Sequence, residues 1–153
     1  MLEEKKLRNE LDNAISWIKE YVKSSGTKGV VVGNSGGKDS ATVIAMAVSA
    51  LGKENVLTVT MPCNSKIADF EDAKLVTDTF CVKMINVDLS STFEEMKDNI
   101  EQVITLNDEA KINMKPRLRM TTLYGIAQSL NYLVIGTGNL SERMVRLYNK
   151  MGR

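Results

Sequence analysis

Residues 2–23 place Leu7, Leu11, Ala14, Ile15, Ile18 and Val22 three or four positions apart with charges between them, the period of a helix with one apolar face. Past Gly29 the pattern changes. Gly29-Val30-Val31-Val32 is short, continuous and β-branched, which predicts a buried strand at Val30–Val32. Ala41–Val48 then reads as a packed helix ending near Gly52. Asn55–Met61 alternates and is β-branched, so a second strand is expected there, closed by Pro62. Helices are predicted at Lys66–Phe80 and Ser90–Ile104, with a strand at Val82–Val87 between them; Ser91-Thr92-Phe93-Glu94-Glu95 gives the later helix a capped start. Asn107–Asn113 is expected to be a loop, and Lys115-Pro116 to open a helix to about Leu130, since proline is tolerated in a first turn. Tyr132–Ile135 reads as a fourth strand and Leu140–Tyr148 as a last helical stretch.

Strands alternating with helices of this length specify right-handed crossovers and a parallel sheet covered on both faces, a doubly wound α/β fold in one domain, 1–153. Ligands of such sheets sit beyond the carboxyl ends of the strands. Both glycine-bearing segments that follow strands, Gly33–Asp39 and Gly136–Asn139, fall on that edge.

The first of these segments, Gly33-Asn34-Ser35-Gly36-Gly37-Lys38-Asp39-Ser40, lies at a strand-to-helix turn. Without a Cβ at Gly36 and Gly37 the backbone can turn tightly and gather several N–H groups onto one anion. The following helix N-terminus adds partial positive charge. The spacing is not that of a Walker loop, because Lys38 precedes Asp39 rather than a Ser or Thr. An aspartate in a phosphate cradle repels its ligand unless a cation stands between them, so Asp39 implies Mg²⁺; read alone it is equally an ordinary first-turn Asp. Ser35-Gly36-Gly37-Lys38-Asp39-Ser40 resembles the pyrophosphate loop of the ATP pyrophosphatases that release AMP, a group that includes NAD synthetases, GMP and asparagine synthetases and several tRNA-modifying enzymes.

Composition narrows the chemistry. The chain has no histidine, which excludes Ser-His and Cys-His nucleophilic sites and His-ligated zinc. No side chain is therefore assigned a catalytic acid, base or nucleophile role. With 20 basic and 19 acidic residues, no global charge argues for nucleic acid or a membrane surface. Apolar stretches fall far short of the roughly 18 residues of a membrane helix, and the charged N-terminus is unlike a signal peptide, so a cytoplasmic protein is expected. Cys63 and Cys81 are too far apart for a metal knuckle and read as unbridged thiols.

Two later segments sharpen the resemblance. Asn113-Met114-Lys115-Pro116-Arg117-Leu118-Arg119-Met120, followed by Leu123-Tyr124, is similar to the Asn-x-Lys-x-Arg-x-Arg-Met motif of ammonia-dependent NAD synthetases. Val134-Ile135-Gly136-Thr137-Gly138-Asn139-Leu140-Ser141-Glu142 is similar to their Gly-Thr-x-x-x-x-Glu motif. The resemblance runs over essentially the whole chain and implies the adenine nucleotide alpha hydrolase-like fold. It also implies that residues Gly33 to Ser40 and Thr137 bind ATP, that Asp39 and Glu142 hold Mg²⁺, and that Arg117 and Lys150 contact deamido-NAD. The residues by themselves leave alternatives open. Glu142 also completes a capping box with Asn139, Thr137 could cap the next helix, and Arg117 could be a solvated helix arginine. Arg119 is rotated about 200° from Arg117 on a helix, so the two cannot serve one small group. Met61 and Pro62 end the second strand where such folds have an adenine pocket, yet an apolar strand end is more often core.

The implied reaction is adenylation of deamido-NAD followed by amidation with ammonia, without nucleic acid or membrane, in a homodimer that binds deamido-NAD across its interface; the Lys115–Leu130 helix is a candidate for that interface. The departures lie after Glu142, where Arg146-Leu147-Tyr148-Asn149-Lys150-Met151-Gly152-Arg153 stands in place of an aromatic-rich segment ending Gly-Asp. Lys150 keeps its place, Arg153 occupies the aspartate position, and the C-terminal third of the family is not in this sequence. A non-catalytic nucleotide-binding remnant and a different ATP pyrophosphatase, such as a tRNA-modifying enzyme, are the alternative readings.

Overall fold

The computed structural model describes residues 2–64 and 67–137. Helix α1 (Leu2–Ser24) leads into β1 (Gly29–Gly33), α2 (Lys38–Leu51), β2 (Val56–Thr60), α3 (Ile67–Phe80), β3 (Lys83–Asn86), α4 (Ser90–Glu101), α5 (Asp108–Leu130) and β4 (Tyr132–Ile135). A short 3-10 turn, Lys53–Asn55, precedes β2. The expected helix Leu140–Tyr148, and with it Glu142 and Lys150, lies outside the described residues.

The four strands are parallel in the order β3-β2-β1-β4. Successive side chains of a strand point to opposite faces, and β1 divides its valines accordingly. Val30 and Val32 join Val56, Ile44 and Ala47 with Ile18 and Val22 of α1, and Val76 and Phe80 of α3 pack onto this layer. Val31 joins Leu57, Val59 and Met61 beneath Leu89, Phe93 and Ala127, with Met114 and Leu118 of α5 alongside. Helices α1, α2 and α3 thus cover one face and α4 and α5 the other. The chain winds outward through β1, β2 and β3, then crosses to the opposite edge for β4. The switch point falls between β1 and β4, and a cleft opens there at the carboxyl ends of the strands.

Most predicted bounds hold within a few residues, with one correction. The expected loop Asn107–Asn113 is the first part of α5, which begins at Asp108. Asn107 caps it, its Oδ1 accepting from the Ala110 N–H at 2.8 Å, and Asp108 and Glu109 sit favourably against the helix dipole. Pro116 is therefore in the helix interior, where it brings no N–H to the Ile112 carbonyl. Core contacts of Met114 before it and Leu118 after it carry the helix through. At the far end Asn131, in the left-handed region at φ 56°, stops α5 and accepts from the Lys28 N–H at 2.9 Å, which sets β4 beside β1.

Candidate nucleotide site

The loop between β1 and α2 is held to α3 by a buried amide. Asn34 is 5% exposed. Its backbone N–H donates to the Val59 carbonyl at 2.8 Å, its Nδ2 donates to the Ala73 carbonyl at 2.8 Å, and its Oδ1 accepts from the Gly36 N–H at 3.0 Å. Both ends of the side chain are engaged internally, so Asn34 shapes the loop rather than offering a side-chain contact to a ligand. Gly36 has φ +76°, and a Cβ there would stand 2.7 Å from Asp72 Cβ and 2.9 Å from the Ala73 nitrogen. The loop thus lies flat on α3, an approach only glycine permits.

The other loop residues face outward or close the helix start. Ser40 is buried; its Oγ donates to the Gly37 carbonyl at 2.8 Å and lies 3.2 Å from Ser35 Oγ. Gly37 is the N-cap of α2 and has no side chain with which to cap it. The first-turn N–H groups of Lys38, Asp39 and Ser40 therefore lack the side-chain acceptor that usually occupies such a position, which favours an anion. Lys38 and Asp39 are exposed on that turn.

The adjoining cleft has a volume of about 860 Å³, within the range of small-molecule sites. Gly33, Asn34 and Ser35 form its floor; Thr60, Met61 and Pro62 end β2 in one wall; Phe70 and Asp69 contribute from α3. Arg119, Leu123 and Tyr124 of α5 face them, and Gly136 and half-buried Thr137 close the β4 side. The two glycine-bearing segments are thus brought together. Met61 serves both expectations, with its side chain in the core and its strand end lining the cleft.

The two motif arginines part company. Arg117 is exposed, its Nη1 donating to the Asn113 carbonyl one turn back at 2.8 Å, and it does not line the cleft. Arg119 is half-buried and does line it, with Nε donating to the Met61 carbonyl at 2.9 Å. Their 200° separation told of opposite faces but not which face met the cleft; the core contacts of Met114 and Leu118 decide it. Lys115 is turned to α4, its Nζ 4.9 Å from the centre of the Phe93 ring. Burial pushes the nearby Cys63 thiol up, opposed by Lys115 and Arg119, so it stays protonated.

Among the described residues no three His, Cys, Asp or Glu side chains gather as a metal cage. Magnesium does not require one, because it commonly takes one or two carboxylates, waters and substrate phosphate oxygens. Exposed Asp39, with no ion pair among the described residues, fits that donor set. No helix among the described residues is long and apolar enough to cross a membrane.

The chain matches the family model described as NAD synthase over residues 10–152. It is 42% identical over 139 residues to an NH(3)-dependent NAD(+) synthetase of Mycoplasmopsis pulmonis, covering 90% of this chain and 52% of that protein. Among solved structures, an NH3-dependent NAD synthetase from Campylobacter jejuni superposes with a TM-score of 0.81 at 34% identity, over 95% of this chain and 60% of that one. A glutamine-dependent NAD+ synthetase from Acinetobacter baumannii, in complex with ADP, superposes with a TM-score of 0.84 at 31% identity, over 88% and 26%. The fold is the adenine nucleotide alpha hydrolase-like one, and the chain spans about half the length of the M. pulmonis relative. A glycine-bearing loop at the switch point, a cleft beside it and a match over nearly the whole sequence lead to one assignment: this chain belongs to the NAD synthase family.

Proposed function

We propose that this chain builds the ATP site of an ammonia-dependent NAD synthetase, which converts deamido-NAD, ATP and ammonia to NAD, AMP and pyrophosphate. The observation that carries this reading is the β1–α2 loop, seated on α3 through Asn34 and Gly36 with the uncapped start of α2 beside the cleft. Such a loop is ordered before its ligand arrives, and it offers N–H groups where pyrophosphate charge develops. ADP in the A. baumannii relative supports a nucleotide in the cleft.

In the proposed reaction a carboxylate oxygen of deamido-NAD attacks the α-phosphorus of ATP. The bond from that phosphorus to the bridging oxygen breaks, and pyrophosphate leaves into the loop. Ammonia then attacks the acyl carbon, the bond to AMP breaks, and a proton passes to solvent. Neither step needs a strong side-chain base, in keeping with a chain without histidine. Its residues align and stabilise: the first turn of α2 holds the leaving group, Lys38 adds charge, and Thr137 binds the nucleotide from the β4 side. Asp39 and Glu142 would hold Mg²⁺, which would supply positive charge to offset that developing on the leaving pyrophosphate.

Arg117 points away from its own cleft, which suits a residue that reaches deamido-NAD in the partner subunit of a homodimer. Lys150 is assigned to the same substrate by resemblance. A cytoplasmic location belongs to this reading.

The test is an assay with ATP, Mg²⁺, ammonium and deamido-NAD that follows NAD and AMP while each component is omitted in turn. NAD formation that needs all four is the expected result. ATP binding with no AMP release under any combination would overturn the synthetase reading and leave a nucleotide-binding domain.

A further inference from the structure

Of the motif Asn113–Met120, the proposed reaction uses Arg117 and leaves Arg119 without a task. Arg119 stands where α5 faces the end of β2, and its Nε bond to the Met61 carbonyl joins residues 58 apart in sequence. Met61 is the first residue past β2, and Pro62 after it has no N–H. The segment that follows is tied toward α4, with Leu89 N–H donating to the Pro62 carbonyl at 2.8 Å and Asn64 N–H donating to Ser90 Oγ at 3.0 Å. The Arg119 bond runs the other way, across the cleft wall to α5.

The lining residues next to this tie in the chain or one helical turn away, Pro62, Pro116 and Leu123, are apolar, and Phe70 lines the same cleft beside Asp69. A fixed guanidinium in such surroundings presents a flat face and further N–H donors. The phosphate loop lies at another part of the same cleft. The two parts therefore differ in what they can hold: one suits phosphate charge, the other a flat heterocycle with a polar edge.

We propose that Arg119 is a positioning residue: by holding the Met61 carbonyl it sets the separation of α5 from the end of β2, and through it the grip on the base of the nucleotide. This rests on the cleft being an ATP site. The role predicts a split between ligands. Pyrophosphate, which needs only the loop, is indifferent to Arg119, whereas ATP, which must also seat its base, is sensitive to it.

The experiment is calorimetric titration of Mg²⁺ with ATP, and of Mg²⁺ with pyrophosphate, into the wild-type chain, Arg119→Met and Arg119→Lys, with thermal unfolding of each. Arg119→Met is expected to weaken ATP by about ten- to thirtyfold, the scale of one charge-assisted hydrogen bond, and to leave pyrophosphate within about twofold of wild type. Arg119→Lys keeps the charge and a donor on a shorter reach, protects folding, and is expected to show the same split in smaller measure. Equal loss of both ligands in a folded variant, or wild-type ATP affinity in either variant, would overturn the positioning role. Failure of the wild-type chain to bind either ligand would instead overturn the ATP-site reading on which it rests.

Discussion

Removing the Asn34 side chain separates the loop from α3 while leaving every glycine in place. In Asn34→Ala the Ala73 carbonyl loses its 2.8 Å donor but, lying inside α3, keeps its helical N–H partner, so that end costs about 1 kcal/mol. The Gly36 N–H loses its acceptor in a half-buried place, which costs about 1–3 kcal/mol. The sum is roughly 2–4 kcal/mol, a fall of roughly 4–16 °C in the unfolding midpoint of a domain this size. ATP affinity is expected to fall at least about tenfold, because the loop must then be ordered at the moment of binding.

Asn34→Asp probes the same contacts with a sharper signature. A carboxylate would oppose the Ala73 carbonyl, whereas the neutral acid donates to it and still accepts from Gly36. Folding therefore favours the protonated form and raises the folded pKa above the unfolded value of about 3.9. Above about pH 4 the unfolded chain releases a proton that the folded chain keeps, so stability falls with rising pH by up to about 1.4 kcal/mol per unit until the folded pKa is passed. Urea unfolding of both variants between about pH 4 and 7 checks this. An alanine midpoint equal to wild type, or an aspartate variant whose deficit does not change with pH, would refute the clamp.

Gly36→Ala puts a Cβ against the Ala73 nitrogen at φ +76°; it should cost at least about 1–2 kcal/mol in the melt and lift the loop off α3, so that pyrophosphate binding measured by calorimetry is lost. Asp39→Asn should abolish Mg²⁺-dependent AMP release while lowering the melting midpoint by no more than about 4 °C, the worth of an exposed carboxylate on the first turn of α2; unchanged turnover would remove Asp39 from the metal site. Mixing inactive Arg117→Ala and Asp39→Asn chains should restore NAD formation if Arg117 serves the partner's substrate, because the mixed dimer has one intact site; no recovery in a mixture shown to exchange subunits would place Arg117 elsewhere. Glu94 is held below the usual carboxylate range by Lys97 and then by Asn64, and Asp88 by its bonds from Ser90. Their contribution is present above the ordinary carboxylate pKa and is lost as pH falls through the lowered folded values, so the melting deficit of Glu94→Gln should be visible at neutral pH and vanish in acid.

What could be read in the sequence was local. Val30–Val32 is a β-branched run and Val56–Val59 is β-branched except at Leu57, as a sheet interior requires, and the glycines after β1 fall at a turn wherever the rest of the chain goes. The start of α5 was equally local, in Asn107-Asp108-Glu109, but Pro116 is a strong boundary signal and masked it. Packing on both sides of the proline overrides a penalty that propensity alone cannot weigh. The function of Asn34 had no local signal, since its partner Ala73 lies 39 residues away. The choice between Arg117 and Arg119 had the same difficulty: helical rotation separates the two, and only the docking of α5 on the sheet decides which one meets the cleft.

The walls of the cleft belong to opposite faces of the sheet, α3 on one and α5 on the other. A doubly wound sheet does not by itself fix how far apart such helices stand at its edge, because their contacts with the strands lie in two separate cores. Two side-chain bonds to backbone carbonyls supply that constraint. Asn34 ties the end of β1 to α3, and Arg119 ties α5 to the end of β2. Each joins a central strand to the wall beside it, so a ligand bridging loop and wall meets surfaces fixed to the same pair of strands. Loss of either bond should therefore weaken ATP, and the double variant should lose less ATP affinity than the two losses added together, since either one alone already frees a wall.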